Sequence, residues 1–260
     1  MTKSAPEPSS DKAFARGRPS YWWRAGQERR LQLVCERIAP QGLRLLDAGC
    51  GVGTYTQAFG RAGAITAGID IEEERVARGR EAARGAVLSV ASAERLPFPA
   101  GTFDVVFSHE VIEHLDDDLA ALREAARVLK PGGHVVLFAP NRGFPFETHG
   151  FVWRGRYRFG NIPLVNWLPL PWRNRLAPHV RAYTGRELRR LVQASGLQVT
   201  YHTQIFPGFD RVEERRPRLG RIIRAVAHQL ERTPLRVLGI SHFLVARKPG
   251  LGTQTLDIEG

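Results

Sequence analysis

Two carboxylates and three glycines carry the clearest chemical signal in this 260-residue chain. In LLDAGCGVGT, Leu45 to Thr54, an apolar run ends at Asp47 and passes into a turn with Gly49, Gly51 and Gly53 at alternate positions. Glycine lets the backbone turn tightly there and approach a ligand where any Cβ would collide. A second apolar run, GAITAGID, closes on Asp70, about twenty residues further on, the offset at which a carboxylate meets a ribose hydroxyl pair. The pattern describes a nucleoside site. The spacing is G-x-G-x-G rather than G-x-G-x-x-G, and no Gly-Lys-Ser/Thr follows to grip phosphates, which disfavours a dinucleotide or ATP. Plain helix capping by Asp47 and Asp70 is the alternative, weakened because two acids end consecutive strands.

A second set of chemistry-bearing residues lies at 108–114. Ser108 and His109 come just past an expected fourth strand, at the carboxyl edge where sheets of this kind bind ligands. Two readings stand for His109. It is a general base toward a hydroxyl acceptor, because imidazole titrates near working pH, or it packs beside the cofactor with no proton role. Glu110, Glu113 and His114 are spaced to share one face of a helix, with donor atoms that suit a divalent cation. The alternative for His114 is a hydrogen bond within the core. Cys50 is expected to be a small packed residue of the turn rather than a nucleophile. With Cys35 as the second of two cysteines, neither a disulfide framework nor a cysteine zinc site is open to the chain.

The surrounding pattern must hold these residues in place. A helix is expected over Tyr21–Ile38, with Leu31, Val34 and Ile38 on its apolar side and Tyr21, Trp22 and Trp23 clustered at its start. From Leu43 strands and helices alternate: strands ending at Asp47 and Asp70, a third at Ala86–Ala91, a fourth at Thr102–Phe107 and a fifth at His134–Ala139. Helices are expected from Gly53, over Glu72–Ala83 and around Asp116–Leu129, the last ended by Lys130, Pro131, Gly132 and Gly133. Such alternation means a mostly parallel sheet with helices on both faces. After Pro140 the periodicity vanishes to about residue 183, too long for a plain connection and of the kind that forms a lid or binding loop. Thr184 with Glu187 marks a helix start, Ser195 and Gly196 its end, and strands follow at Leu197–Thr203 and Ile240–Ala246, separated by a second insertion at 206–236.

The glycine turn with its preceding acid resembles the first motif of the class I S-adenosylmethionine-dependent methyltransferases. Leu96–Phe98 (LPF), Phe103–Phe107 (FDVVF), His109–Leu115 (HEVIEHL) and Leu129–Gly133 (LKPGG) continue the resemblance in order and spacing, toward the branch of the ubiquinone and menaquinone biosynthesis methyltransferases. The resemblance implies a doubly wound α/β fold, a Rossmann-like seven-stranded sheet whose last strand is antiparallel, with the N-terminal helix folded over the cofactor. It implies S-adenosylmethionine held by Asp47, Gly49, Cys50, Gly51, Gly53, Asp70, Ile71, Ser92, Ala93, Glu94 and Ser108, Asp47 near the ammonium end and Asp70 on the ribose. Ser92 stands where the family commonly has an Asp for the adenine amino group, leaving that contact to backbone groups or Glu94. The E-x-x-E-H pattern is shared with ubiquinone O-methyltransferases and small-RNA 2′-O-methyltransferases. There it implies Mg²⁺ or Mn²⁺ activating the acceptor oxygens, and a further histidine arrives after the fifth strand; His149, with Glu147 beside it, occupies a comparable place here.

Charge divides the chain. Residues 1–150 carry 19 basic and 19 acidic side chains, residues 151–248 carry 19 and 5, and the basic ones in the second stretch are arginines except Lys248. A neutral cofactor half and a basic, tryptophan-bearing half point to an anionic substrate, a nucleic acid or an anionic membrane. In RLGRIIRAVAHQL, Leu219, Ile222, Ile223, Val226 and Leu230 share a helical face with arginines near its edge, a pattern suited to peripheral contact with an anionic bilayer. An ordinary helix packed on the sheet is the alternative. No stretch reaches the roughly 20 apolar residues of a membrane span, and MTKSAPEPSSDKAFARGRP lacks an apolar signal core, so a mobile lead-in and a cytoplasmic protein are expected. The expected organisation is a lead-in and cap helix to residue 40, a methyltransferase domain over 41–248 with insertions at about 141–183 and 206–236, and a tail from 249. Three functions follow: methylation of an oxygen, or secondarily a carbon, of a hydrophobic small molecule such as a quinone precursor, lipid or polyketide; metal-dependent RNA 2′-O-methylation, disfavoured by the lack of a recognised RNA-binding module; or a non-catalytic cofactor-binding scaffold.

Overall fold

Short apolar runs, each closed by glycine, aspartate or proline, build one sheet. In this computed structural model, which describes residues 23–82 and 86–250, the strands in chain order are β1 (Arg44–Ala48), β2 (Ile65–Asp70), β3 (Val87–Val90), β4 (Phe103–His109) and β5 (Leu129–Pro140). Four strands of two or three residues follow, β6 (Phe146–Glu147), β7 (Phe151–Trp153), β8 (Arg156–Arg158) and β9 (Ile162–Pro163), and then β10 (Gln198–Ile205) and β11 (Ser241–Arg247). The seven long strands are ordered β10-β11-β5-β4-β1-β2-β3. β11 runs antiparallel to both β5 and β10, and the pairs among β1 to β5 are parallel. The order reverses between β1 and β4, which opens a crevice at their carboxyl ends.

Period-two alternation sorts the strand residues into two layers. Leu45, Val105, Phe107, Val136, Phe138 and Phe243 pack beneath the helices Ala25–Cys35 and Thr54–Arg61. Leu46, Val106, Leu137 and Leu244 pack on the other face with Leu122 and Val128 of helix Asp118–Val128 and with Leu188 and Val192 of helix Gly185–Ala194. Thr184 caps that last helix as expected: its hydroxyl accepts from Glu187 N at 3.3 Å, while the Glu187 carboxylate accepts from Thr184 N at 2.8 Å.

Some boundaries differ from expectation, for local reasons. The first helix spans Ala25–Cys35; Tyr21, Trp22 and the rest of the lead-in to residue 22 lie outside the described residues, as do Ala83 and the tail from residue 251. LKPGG begins β5 instead of merely ending a helix. β4 runs two residues further than expected, to His109, so Ser108 and His109 sit within it on opposite faces. The first insertion is not a plain loop: it holds the pairs β6–β9 and β7–β8 and a helix over Leu170–Leu176. Elements of two to seven residues are too short to leave a periodic signal. The second insertion forms helices Asp210–Arg215 and Pro217–Leu230.

Phe138 is fully buried, stacked on Phe243 at 4.8 Å and edge-on to Phe107 at 6.1 Å. Phe138→Ala is expected to cost about 3–5 kcal/mol, measured as a fall in the urea midpoint with an unchanged slope.

Candidate active site

At the crevice a cavity of about 550 Å³ runs from Asp70 and the glycine turn to His109, Glu110, His114 and His149. Gly49, Gly51 and Gly53 all have left-handed backbone, with φ of 90°, 56° and 76°. A Cβ on Gly49 would stand 2.2 Å from Val111 Cγ2. The turn is pinned by its own amides. Gly49 N and Cys50 N both donate to Ile69 O at 2.8 Å, and Gly51 N donates to Asp70 Oδ2 at 2.9 Å. Glu72 N donates to the other Asp70 oxygen at 2.9 Å, so the ribose-side carboxylate is held in one orientation. Gly53 lies outside the cavity wall and caps helix Thr54–Arg61.

Asp47 is buried at the cavity floor, where the Thr56 hydroxyl donates to it at 2.6 Å. Burial pushes its carboxyl up to about 7, the Thr56 hydrogen bond opposes the rise, and the neighbouring Asp70 charge adds to it. A cation placed there would restore the ionised form. Cys50 lines the cavity, and burial pushes its thiol up, so it is a packing residue and no nucleophile. Ile71, half exposed at the rim, and Ser92, Ala93 and Glu94 form the wall beside Asp70. Glu94 is already engaged: one oxygen accepts from Asp117 N at 2.6 Å and the other from the Ser92 hydroxyl at 3.3 Å. Ser108 is the exception. Alternation along β4 turns it to the opposite layer, where it lines a separate small cavity with Val106 and Leu137, away from the cofactor side.

His109 faces the main cavity inside an aromatic box, its ring 5.0 Å from Tyr55, 5.5 Å from Phe138 and parallel to Phe107 at 6.3 Å. Trp23 closes the box by meeting Tyr55 edge-on at 5.3 Å. Burial lowers the His109 imidazole to about 3, with repulsion from Arg30 in the same direction, and its Nε2 has no hydrogen-bond partner. Such a ring is a weak proton acceptor, and the geometry favours the packing role of the two sequence readings.

Glu110, Glu113 and His114 do not lie on an α-helix. The chain leaves β4 through a left-handed Glu110, φ 54°, and makes one 3-10 turn over Ile112–His114 before the helix begins at Asp118. The three side chains nevertheless converge, and His149 joins them from the first insertion. One donor atom each from Glu113, His114 and His149 lie within 4.8 Å of one another. His149 Nε2 is 3.9 Å from Glu113 Oε1 and 4.0 Å from Glu110 Oε2. Ser241 steadies Glu110 by donating at 2.9 Å. Glu113 is buried, neither carboxylate oxygen has a hydrogen-bond partner, and burial with the nearby Glu110 holds its carboxyl well above the usual range. An unpaired buried carboxylate beside two imidazoles fits a divalent cation. Glu147 is not a further ligand of this cluster: it pairs with Arg173 and His149. Arg173 had no sequence signal to separate it from the neighbouring arginines. Tyr55 and Arg30 were likewise invisible, because only the packing of two helices over β4 brings them to the site.

A seven-stranded sheet with a nucleoside-sized cavity at its switch point, an acidic-ended first strand and a glycine turn define a Rossmann-like methyltransferase. Residues 46–137 match the family model described as "Methyltransferase domain". The ubiquinone biosynthesis O-methyltransferase of Sinorhizobium fredii is 30% identical over 185 residues, covering 66% of this chain and 70% of that protein. That of Xanthomonas axonopodis pv. citri is 40% identical over 118 residues, 44% of this chain and 49% of the relative. The chain thus spans from about half to just over two thirds of the length of these relatives. Among solved structures, an S-adenosylmethionine-dependent methyltransferase from Mesorhizobium loti shares the fold with a TM-score of 0.60 at 22% identity, over 86% of this chain and 98% of that one. The [4+2]-cyclase SpnF shares it with 0.58 at 22% identity, over 88% and 86%. The chain belongs to the class I S-adenosylmethionine-dependent methyltransferases.

The raised Asp47 carboxyl predicts proton-linked cofactor binding. If the cofactor's ammonium meets Asp47, binding requires ionisation, so affinity is expected to rise by up to about tenfold per pH unit below pH 7 and to level above it. Calorimetric titration with S-adenosylmethionine from pH 5.5 to 8 checks this, with Asp47→Asn expected to bind more weakly at pH 8 and to flatten the profile. For the ligand-free protein the sign is opposite. A folded-state value raised above the unfolded one means stability is lost as pH rises through about 7, a loss that Asp47→Asn removes.

Proposed function

We propose that this methyltransferase transfers a methyl group to an oxygen of a hydrophobic small molecule held beside a divalent cation. The observation that carries the reading is the convergence of Glu110, Glu113, His114 and His149 at the cofactor cavity, with both Glu113 oxygens without a hydrogen-bond partner. Mixed oxygen and imidazole donors suit Mg²⁺ or Mn²⁺. When bound, S-adenosylmethionine supplies an electrophilic methyl on a sulfonium and the cation polarises the acceptor hydroxyl. The chain's residues supply alignment and a dry site: the glycine turn and Asp70 fix the donor, and Trp23, Tyr55, Phe107, Phe138 and His109 exclude water beside it. The relatives named for O-methylation in ubiquinone biosynthesis support an oxygen acceptor of hydrophobic character, such as a quinone precursor.

An RNA 2′-O-methyltransferase would use the same ligand set, and the basic second half gives that reading its support. The two are separated by incubating the protein with methyl-labelled S-adenosylmethionine and cell extract, with and without chelator. Label is expected in the organic phase and to be lost with chelator. Label confined to RNA would reverse the ranking, and organic label indifferent to chelator would remove the cation.

The same proposal places the protein at an anionic membrane surface, from which it would take its acceptor. Helix Pro217–Leu230 turns Gly220 and Ala227 inward and leaves Leu219, Ile222 and Val226 exposed, so its apolar stripe faces out rather than onto the sheet. Trp167 and Val237, each more than half exposed, flank Gly143, whose carbonyl accepts from Trp167 Nε1 at 3.0 Å. Trp153 and Trp172 are also exposed, amid the arginine excess. No helix among the described residues is long and apolar enough to cross a bilayer. Cosedimentation with phosphatidylglycerol-containing vesicles is expected, weak on pure phosphatidylcholine and reduced about tenfold or more by Ile222→Asp with Val226→Asp. Equal recovery of that variant would remove the helix from the membrane reading.

A further inference from the structure

Arg173 is the largest fully buried side chain among the described residues, yet it belongs to the short insertion helix Leu170–Leu176 and takes no part in the wall of the cofactor cavity. A charge is taken out of water only where its hydrogen bonds replace the lost hydration. Its guanidinium donates to Val180 O at 2.5 Å and to Glu147 Oε2 at 2.9 Å. The other oxygen of Glu147 faces His149: Oε1 accepts from His149 N at 2.9 Å and lies 3.0 Å from His149 Nδ1. Both Glu147 oxygens accept from N–H groups, Oε2 from a guanidinium and Oε1 from a backbone amide, so the 3.0 Å contact makes Nδ1 the donor. The free nitrogen is then Nε2, which is the one that points at Glu110 and Glu113. Two further contacts grip the same segment, Tyr157 Oη donating to His149 O at 2.6 Å and His179 Nε2 at 3.2 Å from that carbonyl.

We infer that Arg173 and Glu147 are positioning residues for His149, acting in series: the guanidinium orients the carboxylate, and the carboxylate fixes the imidazole as its Nδ1–H tautomer with the Nε2 lone pair aimed into the acidic cluster. This rests on the cation reading for its purpose, though not for its geometry. A carboxylate behind a ligating imidazole fixes ring orientation and strengthens the ligand. Here the carboxylate is itself fixed by an arginine from an insertion, which makes that insertion a structural part of the site. Neither residue touches the cofactor cavity, so neither is catalytic.

Two measurements test the inference. In the cation-free wild type, ¹⁵N-resolved imidazole spectra, assigned with His149→Gln, are expected to show His149 as the Nδ1–H tautomer; an Nε2–H tautomer overturns the inference without any variant. In Glu147→Leu/Arg173→Met the buried pair gives way to apolar side chains, an exchange often neutral for stability. The double variant is expected to lose the Nδ1–H bias and to bind Mn²⁺, followed by the electron paramagnetic resonance of the free ion, about ten- to a hundredfold more weakly. Arg173→Lys, which keeps a cation on Glu147, is expected to retain the wild-type tautomer. An unchanged tautomer in the double variant overturns the positioning role and leaves the cation reading standing. A tautomer lost in the double variant of a protein whose wild type takes up no Mn²⁺ upholds the positioning and removes the cation.

Discussion

Buried negative charge at one end of a parallel sheet is the constraint around which this molecule is arranged. Asp47, Asp70, Glu113 and Glu147 are each at most 6% exposed, and they gather at or beside the carboxyl ends of β1, β2 and β4. A carboxylate out of water must be paired, hydrogen-bonded or protonated. Most of the local detail of the site is an answer to that requirement. The left-handed glycine turn presents an amide to Asp70, Thr56 presents a hydroxyl to Asp47, and Arg173 reaches through the insertion to Glu147.

The answers are unequal. Asp70 and Glu147 have both oxygens engaged by protein donors. Asp47 is met by Thr56 alone and Glu113 faces another acid, Glu110, and it is these two whose carboxyls burial pushes up. Asp47 lines the cavity by the glycine turn, and Glu113 lies with His114 and His149, which line the same cavity. On the proposed reading, a protein that keeps two such acids gives up stability for affinity, the positive charge arriving with the cofactor's ammonium at one and the cation at the other. Surface pairs such as Arg78 with Glu74 carry no comparable information, since an exposed i,i+4 pair contributes only about 0.3–0.5 kcal/mol.

How legible this was depends on how local each signal is. The Leu45–Thr54 turn, Asp70, the Thr184 cap and the alternating sheet pattern are local, and the structure has them where the residues place them. Glu110, Glu113 and His114 show a subtler case. Their spacing suggests a helix face, but the chain there is a strand end, one left-handed residue and a 3-10 turn, and the convergence is achieved by reversal of the backbone instead of helical periodicity. Ser108 was misplaced because a strand two residues longer than its apolar run puts alternate side chains on opposite faces. Arg173 was illegible for the opposite reason: its burial depends on Val180 and Glu147, partners 7 and 26 residues away.

Of the two roles expected of a long irregular segment, lid or binding loop, the contacts of the first insertion do not suit the lid. A lid opens by breaking few and exposed contacts. This segment is tied to the body of the domain by buried or half-buried bonds, Asn141 Nδ2 to the carbonyls of Val237 and Gly239, Arg181 N to Glu113 O and Tyr183 Oη to Ile112 O, while Asn166, Arg142 and the Arg173 pair brace it from within. Leaving such donors and acceptors unsatisfied costs about 1–3 kcal/mol each, so opening the whole segment would consume much of the stability of a domain this size. The irregular sequence between β5 and helix Gly185–Ala194 is therefore better understood as a bracket. Its inner side delivers His149 at a fixed angle to the acids of the sheet, and its outer side is left free to carry the exposed tryptophans and arginines.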